Sequence, residues 1–165
     1  MKFSRRLLIV LVVVVICVGC DRITKSIAVA HLPDDRIFSY LGDTLRLQLA
    51  HNRGAFLSLG DSLPETLRHG IFTIGVCFLL TGMLGFALFS KPGRFSVVLA
   101  FSLLLAGGVG NLIDRIIHNG LVVDFINIGI GPLRTGIFNI ADVAILVGCM
   151  LLFLGVLRKQ PPTRK

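Results

Sequence analysis

The chain has 165 residues, 54% of them apolar and only 16% charged, with a mean hydropathy of +0.84. That composition excludes a disordered chain and a soluble two-domain enzyme. Seventeen Lys and Arg against nine Asp and Glu give a net charge of +8, but the basic residues lie between apolar runs and not in a stripe interleaved with aromatics, so nucleic acid is not an expected partner.

A hydrocarbon core about 30 Å thick needs about 20 helical residues. Leu7 to Ala30, Ile71 to Phe89, Phe95 to Ile117 and Phe138 to Leu157 meet that length, and all six prolines lie outside them. The expectation is one integral membrane domain over 1–165, an all-α membrane protein of four transmembrane helices. Lys2, Arg5, Arg6, Lys91, Arg94, Arg158, Lys159, Arg164 and Lys165 gather at one set of helix ends with no acid among them. The positive-inside rule makes those ends, and both termini, cytoplasmic. All nine acids then belong to the outer half.

The first segment also reads as a signal peptide over Met1 to Cys20, with a basic start, an apolar run and small residues at its end. Leu7 to Cys20 alone makes about 21 Å of helix, too short to cross, whereas continuing to Ala30 makes about 36 Å. An uncleaved first helix is the expectation. It carries Asp21, Arg22 and Lys25 in the outer part of the membrane, where charges are costly. Asp21 and Lys25 stand four apart on one face, either as a structural pair or as part of a site. Arg22 points elsewhere and reads as an interfacial anchor.

From His31 to Gly70 the chain leaves the membrane. Thr44 to Leu49 alternates polar and apolar residues, the period of a half-buried strand, and Ile37 to Tyr40 can pair with it through a turn at Leu41-Gly42-Asp43. Ser62-Leu63-Pro64-Glu65 has capping-box spacing and predicts a short helix that can run into the second span. Together with 118–137 this segment forms a small extracytoplasmic β-sheet platform with a short surface helix. Asn52 and Gly54, in His51-Asn52-Arg53-Gly54-Ala55-Phe56, suit a tight turn, and the Asn52 amide could alternatively hold an extended peptide.

In the third span Gly107-Gly108-Val109-Gly110 favours close helix packing. Asn111, Asp114 and Arg115 follow at i, i+3 and i+4 on one face, as an ion-pair cluster or a substrate anchor. Asp124 interrupts the strand-like Leu121 to Ile126, and Asp142 stands three residues after Asn139 at the start of the fourth span. Each acid has a plain explanation, exposure to water for one and helix capping for the other. Yet both belong to the same outer boundary, and two carboxylates brought close can share one proton and run acid and base steps together.

Other chemistries are less well supported. Cys17, Cys20, Cys77 and Cys149 lie in apolar spans, and His31, His51, His69 and His118 are scattered, so neither zinc nor a disulfide-stapled outer domain is expected. A serine–lysine protease would need Lys25 with Ser26 or Ser58. A small proton-coupled membrane transporter would want its acids near the midplane, and a noncatalytic scaffold leaves the two acids unexplained.

Asp21 to Lys25, Asn52-Arg53-Gly54-Ala55-Phe56, Gly110-Asn111-Leu112-Ile113-Asp114-Arg115, Val122-Val123-Asp124-Phe125 and Phe138-Asn139-Ile140-Ala141-Asp142 together resemble the ordered motif set of the bacterial lipoprotein signal peptidases, also called signal peptidase II. The resemblance implies an aspartic endopeptidase of the inner membrane that cleaves prolipoproteins before their diacylglyceryl-modified cysteine. On that resemblance Asp124 and Asp142 match the catalytic pair, and Asn111, Arg115 and Asn139 match polar residues around it. Asn52 and Gly54 match an outer-loop motif that clamps substrate, while Asp21, Lys25 and Asp114 match supporting positions. Arg22 stands where an uncharged amide is expected. No cofactor or metal is implied; the partners are diacylglyceryl-modified prolipoproteins and membrane lipid, and the chain is expected to be a monomer.

Overall fold

A computed structural model of the chain describes residues 1–53, 63–90 and 95–157. Its first helix, α1 (Phe3–His31), runs through the whole first apolar stretch and stops at Leu32, whose backbone is extended (φ −101°, ψ 113°) because Pro33 follows. Strands β1 (Phe38–Tyr40) and β2 (Leu45–Asn52) come next. A short helix α2 (Glu65–His69) passes through a π-helical turn, Gly70–Gly75, into α3 (Val76–Phe89). Helix α4 (Phe95–Ile117) leads to β3 (Val122–Ile130), β4 (Leu133–Arg134) and α5 (Ile140–Leu157). Among the described residues three helical stretches, Phe3–His31, Thr66–Phe89 and Phe95–Ile117, are long and apolar enough to cross a membrane, and the apolar stretch Ile140–Gly155 is shorter. The short helix predicted near Pro64 is thus the N-terminal extension of the second apolar helix; Ser62, its expected cap, lies outside the described residues.

Lipid offers no hydrophobic drive to bring apolar helices together, so close approach of backbones must do it. Helix α4 supplies that approach and packs on α1, α3 and α5. A Cβ at Gly107 would collide with the Ala141 backbone oxygen and Ile145, and one at Gly148 would lie 2.9 Å from the Ala100 oxygen. At Gly110 the added carbon would stand 2.9 Å from the Asp21 carboxylate. The glycines therefore set both the α4–α5 spacing and the fit of α1. At the opposite end Arg6, buried in α1, donates through Nη1 to the Ser90 carbonyl at 2.6 Å and the Leu88 carbonyl at 3.3 Å. A cation there satisfies the last carbonyls of α3 and complements its dipole.

The strands form one antiparallel sheet in the order β1-β2-β3-β4. The predicted hairpin forms, with Phe38 opposite Leu47 and Tyr40 opposite Leu45. Leu41, Gly42 and Asp43 all adopt left-handed backbone (φ +52°, +62° and +68°). Asp43 holds that turn by accepting from Arg46 Nε and Nη2 at 2.7 and 2.6 Å and from Ser39 Oγ at 2.7 Å, and these bonds, Arg46's foremost, keep its carboxyl well below the usual carboxylate range. Strand β3 runs past the expected Ile126 to Ile130 before turning back into β4, and Arg134 of β4 donates to the Asp43 carbonyl at 2.7 Å. The sheet joins the helices at Phe138, whose carbonyl accepts from Phe125 and Ile126 at 3.1 and 2.9 Å while its amide donates to the Ile126 carbonyl at 2.8 Å.

Candidate active site

Asn139 is where sheet and helices meet chemically. Its Oδ1 accepts from the Asp142 amide at 3.0 Å, and Asp142 Oδ2 accepts from the Asn139 amide at 3.1 Å, a reciprocal cap that starts α5. Asn139 Nδ2 then reaches across to Asp124 Oδ1 on β3 at 2.6 Å and to Asn111 Oδ1 on α4 at 3.0 Å. Asn111 in turn donates from Nδ2 to Asp142 Oδ1 at 2.8 Å. Asn52, the last residue of β2, donates to Asp124 Oδ2 at 3.0 Å. The two acids read from the sequence are therefore tied to one asparagine, one through its side chain and one through its backbone.

The charge of this cluster is as ordered as its hydrogen bonds. Asp124 is 2% exposed, and burial, followed by the charge of Asp142, pushes its carboxyl up to about 7 against the hydrogen bonds from Asn52 and Asn139. Beneath it lies a second layer. Lys25 Nζ stands 2.8 Å from both Asp21 Oδ2 and Asp114 Oδ2, and donates to Asn111 Oδ1 at 3.1 Å. Asp21 Oδ1 accepts from the Ala141 amide at 3.0 Å and Asp114 Oδ2 from the Val123 amide at 3.1 Å. Lys25 thereby decides which way the Asn111 amide faces: its oxygen meets the ammonium, so its NH2 meets Asp142.

Arg115 is buried on α4, its Nη1 donating to the Asn111 carbonyl at 3.4 Å and its guanidinium lying 5.8 Å from the centre of the Phe72 ring. It borders an open cleft of about 780 Å³ lined also by Thr66, Arg68, Thr73 and Asn119. A smaller apolar groove of about 210 Å³ between α3, α4 and α5 has Asn111 and Arg115 at one end and Leu79, Leu80 and Met83 further along. The open cleft and the apolar groove thus share Arg115.

Residues 13–158 match the family described as Signal peptidase (SPase) II. The chain belongs to the signal peptidase II family. A lipoprotein signal peptidase of Leifsonia xyli is 39% identical over 166 residues, covering 95% of this chain and 71% of that protein. One of Streptococcus pneumoniae is 30% identical over 152 residues, covering 92% and 94%. Two solved bacterial membrane enzyme structures obtained by the in meso method, both 28% identical, align with TM-scores of 0.76 and 0.75 and cover 98% and 95% of this chain and 95% of each of theirs. A signal peptidase II is a protease, and nothing in these likenesses favours a transporter.

Of the residues marked by the resemblance to signal peptidase II, Asp21, Lys25, Asn52, Asn111, Asp114, Arg115, Asp124, Asn139 and Asp142 gather in this one region, and Gly54 lies outside the described residues. The reading of Arg22 as an anchor pointing elsewhere is corrected: its Nη1 pairs with Asp114 Oδ1. Its partner sits 92 residues away on α4, and a pattern of helix spacing sees only neighbours on the same helix. The signal that was present is Asp114 itself, a carboxylate in an apolar span that calls for partners from another helix.

Proposed function

We propose that this member of the signal peptidase II family is an aspartic endopeptidase that removes the signal peptide of bacterial prolipoproteins by cutting before the diacylglyceryl-modified cysteine. The observation that carries the reading is the sharing of Asn139 by Asp124 and Asp142. Burial and the charge of Asp142 push the Asp124 carboxyl up to about 7, so the pair carries one proton as pH falls below neutral, and Asp124 is the member that takes it. Asp142, which accepts from the Asn111 amide and the Asn139 backbone, serves as the ionised partner. Ionised Asp142 takes a proton from a water between the acids as that water attacks, and Asp124 donates to the scissile carbonyl oxygen. The water's oxygen becomes bonded to the carbonyl carbon, and collapse of the resulting tetrahedral diol breaks the C–N bond as Asp142 passes the proton it took to the departing amine and Asp124 regains its own, so no acyl-enzyme forms.

The reading includes a place. Four apolar helices cross the inner membrane with both termini cytoplasmic, in line with the basic residues at Lys2, Arg5, Arg6, Lys91 and Arg94. The carboxylates then lie at the extracytoplasmic face, where a signal peptide with its basic end inside presents its cleavage point. The protein works as a monomer, and the substrate's lipid stays in the bilayer, supplying binding energy remote from the bond that breaks. Asn52, Asn111, Arg115 and Asn139 position the acids and substrate, while Lys25, itself held by Asp21 and Asp114, holds Asn111.

Purified protein in detergent should release the signal peptide from a diacylglyceryl-modified precursor and leave the unmodified precursor much less affected. Equal cleavage of both precursors would overturn the substrate assignment, and full activity of Asp124→Asn or Asp142→Asn would overturn the mechanism.

A further inference from the structure

The register of the sheet sorts its residues by face, because directly opposed residues share a side and side chains alternate along each strand. Tyr40, Leu45 and Ile128 stand opposite one another, as do Phe38, Leu47 and Ile126, and Ile130 opposes Leu133 two residues further along. From Phe38 and Ile126 outward, these eight residues make one face of the sheet apolar. Ser39, Arg46 and Asn127 occupy the other face with Arg134, which donates through Nε to Asn127 Oδ1 at 2.5 Å. The polar face is thus knitted into its own hydrogen-bond network, while among the described residues the apolar face is covered only near α1. Toward the far end it is open: Ile130 is 78% exposed and Leu133 83%.

Two further observations say what covers it. The apolar face continues without a break into the side of α1, through a groove of about 360 Å³ lined by Ile27, Ala28 and Leu32 of that helix region and by Phe38, Tyr40 and Leu47 of the sheet. Ile23 and Ile27 of α1 are themselves largely exposed, as side chains that meet lipid are. Only six residues separate the end of α1 from β1, which keeps the sheet close to where the helix leaves the membrane. The turn beyond β1 supplies the second sign. Leu41 is held in left-handed backbone, where glycine or asparagine is ordinarily found, and its side chain is 79% exposed. A leucine that accepts backbone strain to face outward, at the same end of the sheet as Ile130 and Leu133, suits an apolar medium and not water.

We infer that the sheet is a monotopic membrane anchor: its apolar face lies on the bilayer, and Leu41, Ile130 and Leu133 at its far end insert among the lipid chains. The occupant of the face is lipid, so the sheet has one wet side and one oily side, the arrangement of an interfacial amphipathic element realised in strands. Asp124 lies on β3 six residues before Ile130. Anchoring the strand's far end therefore sets the height of its near end above the membrane. The inference stands whichever bond the site cleaves.

The chain contains no tryptophan, so Leu41→Trp and Leu133→Trp each introduce a single fluorescent reporter at an exposed position. Each variant is reconstituted in nanodiscs of phosphatidylcholine, with and without brominated acyl chains, and titrated separately with aqueous iodide. Ile16→Trp, on the exposed side of α1, provides the lipid-buried reference. The expected result is that both reporters lose emission to brominated lipid as the reference does and resist iodide. Quenching by iodide with no response to brominated lipid would place the tip in water and overturn the inference. Shielding from both quenchers would mean a second copy or another protein on the face, and would overturn it too.

Discussion

Asn139 and Lys25 do different work on the two acids, and substitutions separate them. Asp124→Asn and Asp142→Asn each keep shape and lose the shared ionisation, so either should reduce signal-peptide release to background in a gel assay. The double variant should be no worse, because residues that act as a unit are not additive. The proton on Asp124 also leaves a thermodynamic trace. A carboxyl whose folded pKa is raised to about 7 contributes stability that is full below its unfolded value and is lost as pH rises through 7. Thermal unfolding in detergent should therefore shift to lower temperature between about pH 4 and pH 7 and level off above, and Asp124→Asn should flatten that decline. Activity should fall as pH rises through about 7 and the pair loses its proton. Lys25→Met removes the cation between two buried carboxylates and should destabilise by about 3–5 kcal/mol at neutral pH. Arg22→Gln, which removes the partly exposed partner of Asp114, should cost less than about 1 kcal/mol. Equal losses of melting temperature in the two variants would contradict this ranking.

At the next scale helix packing sets the Asn111 to Asp142 hydrogen bond, because Asn111 rides on α4 and Asp142 on α5. Gly107→Ala forces its methyl into the Ala141 backbone and Ile145. The helices must part, at about 1–3 kcal/mol, and the Asn111 to Asp142 hydrogen bond must stretch, so both melting temperature and turnover should drop. Gly108→Ala meets only the flexible end of Leu80 and should leave turnover near wild type. These elements were unequally legible in the sequence. The β1–β2 hairpin was visible because Thr44 to Leu49 alternates strictly above a local turn. The extension of β3 to Ile130 was not, since Asn127, Ile128 and Gly129 become strand through pairing with β2 and β4 and not through their own pattern. The Asn139 to Asp142 cap was legible from spacing, whereas its link to Asp124 needed the sheet to dock at Phe138. Arg22 was misread for a related reason: its partner belongs to another helix.

At the scale of the molecule, fold and charge make one topological statement. Reporters fused after Leu157 or within 91–94 should read cytoplasmic, and one within 34–61 extracytoplasmic; the reverse pattern would invert the membrane orientation and place the acids on the wrong side for a signal peptide. The site is also composite. Asp124 belongs to the sheet, Asp142 and Asn111 to the helices, and the connections between them are short polar bonds and the strand bridge at Phe138. Helices held by close glycine contacts can survive conditions that loosen that seam. In a series of increasingly harsh detergents, signal-peptide release should therefore disappear while far-ultraviolet circular dichroism still reports intact helices. A preparation that looks folded by its helicity can be inert because the seam at Asn139 has come undone, so turnover is a finer gauge of this protein's integrity than its secondary structure.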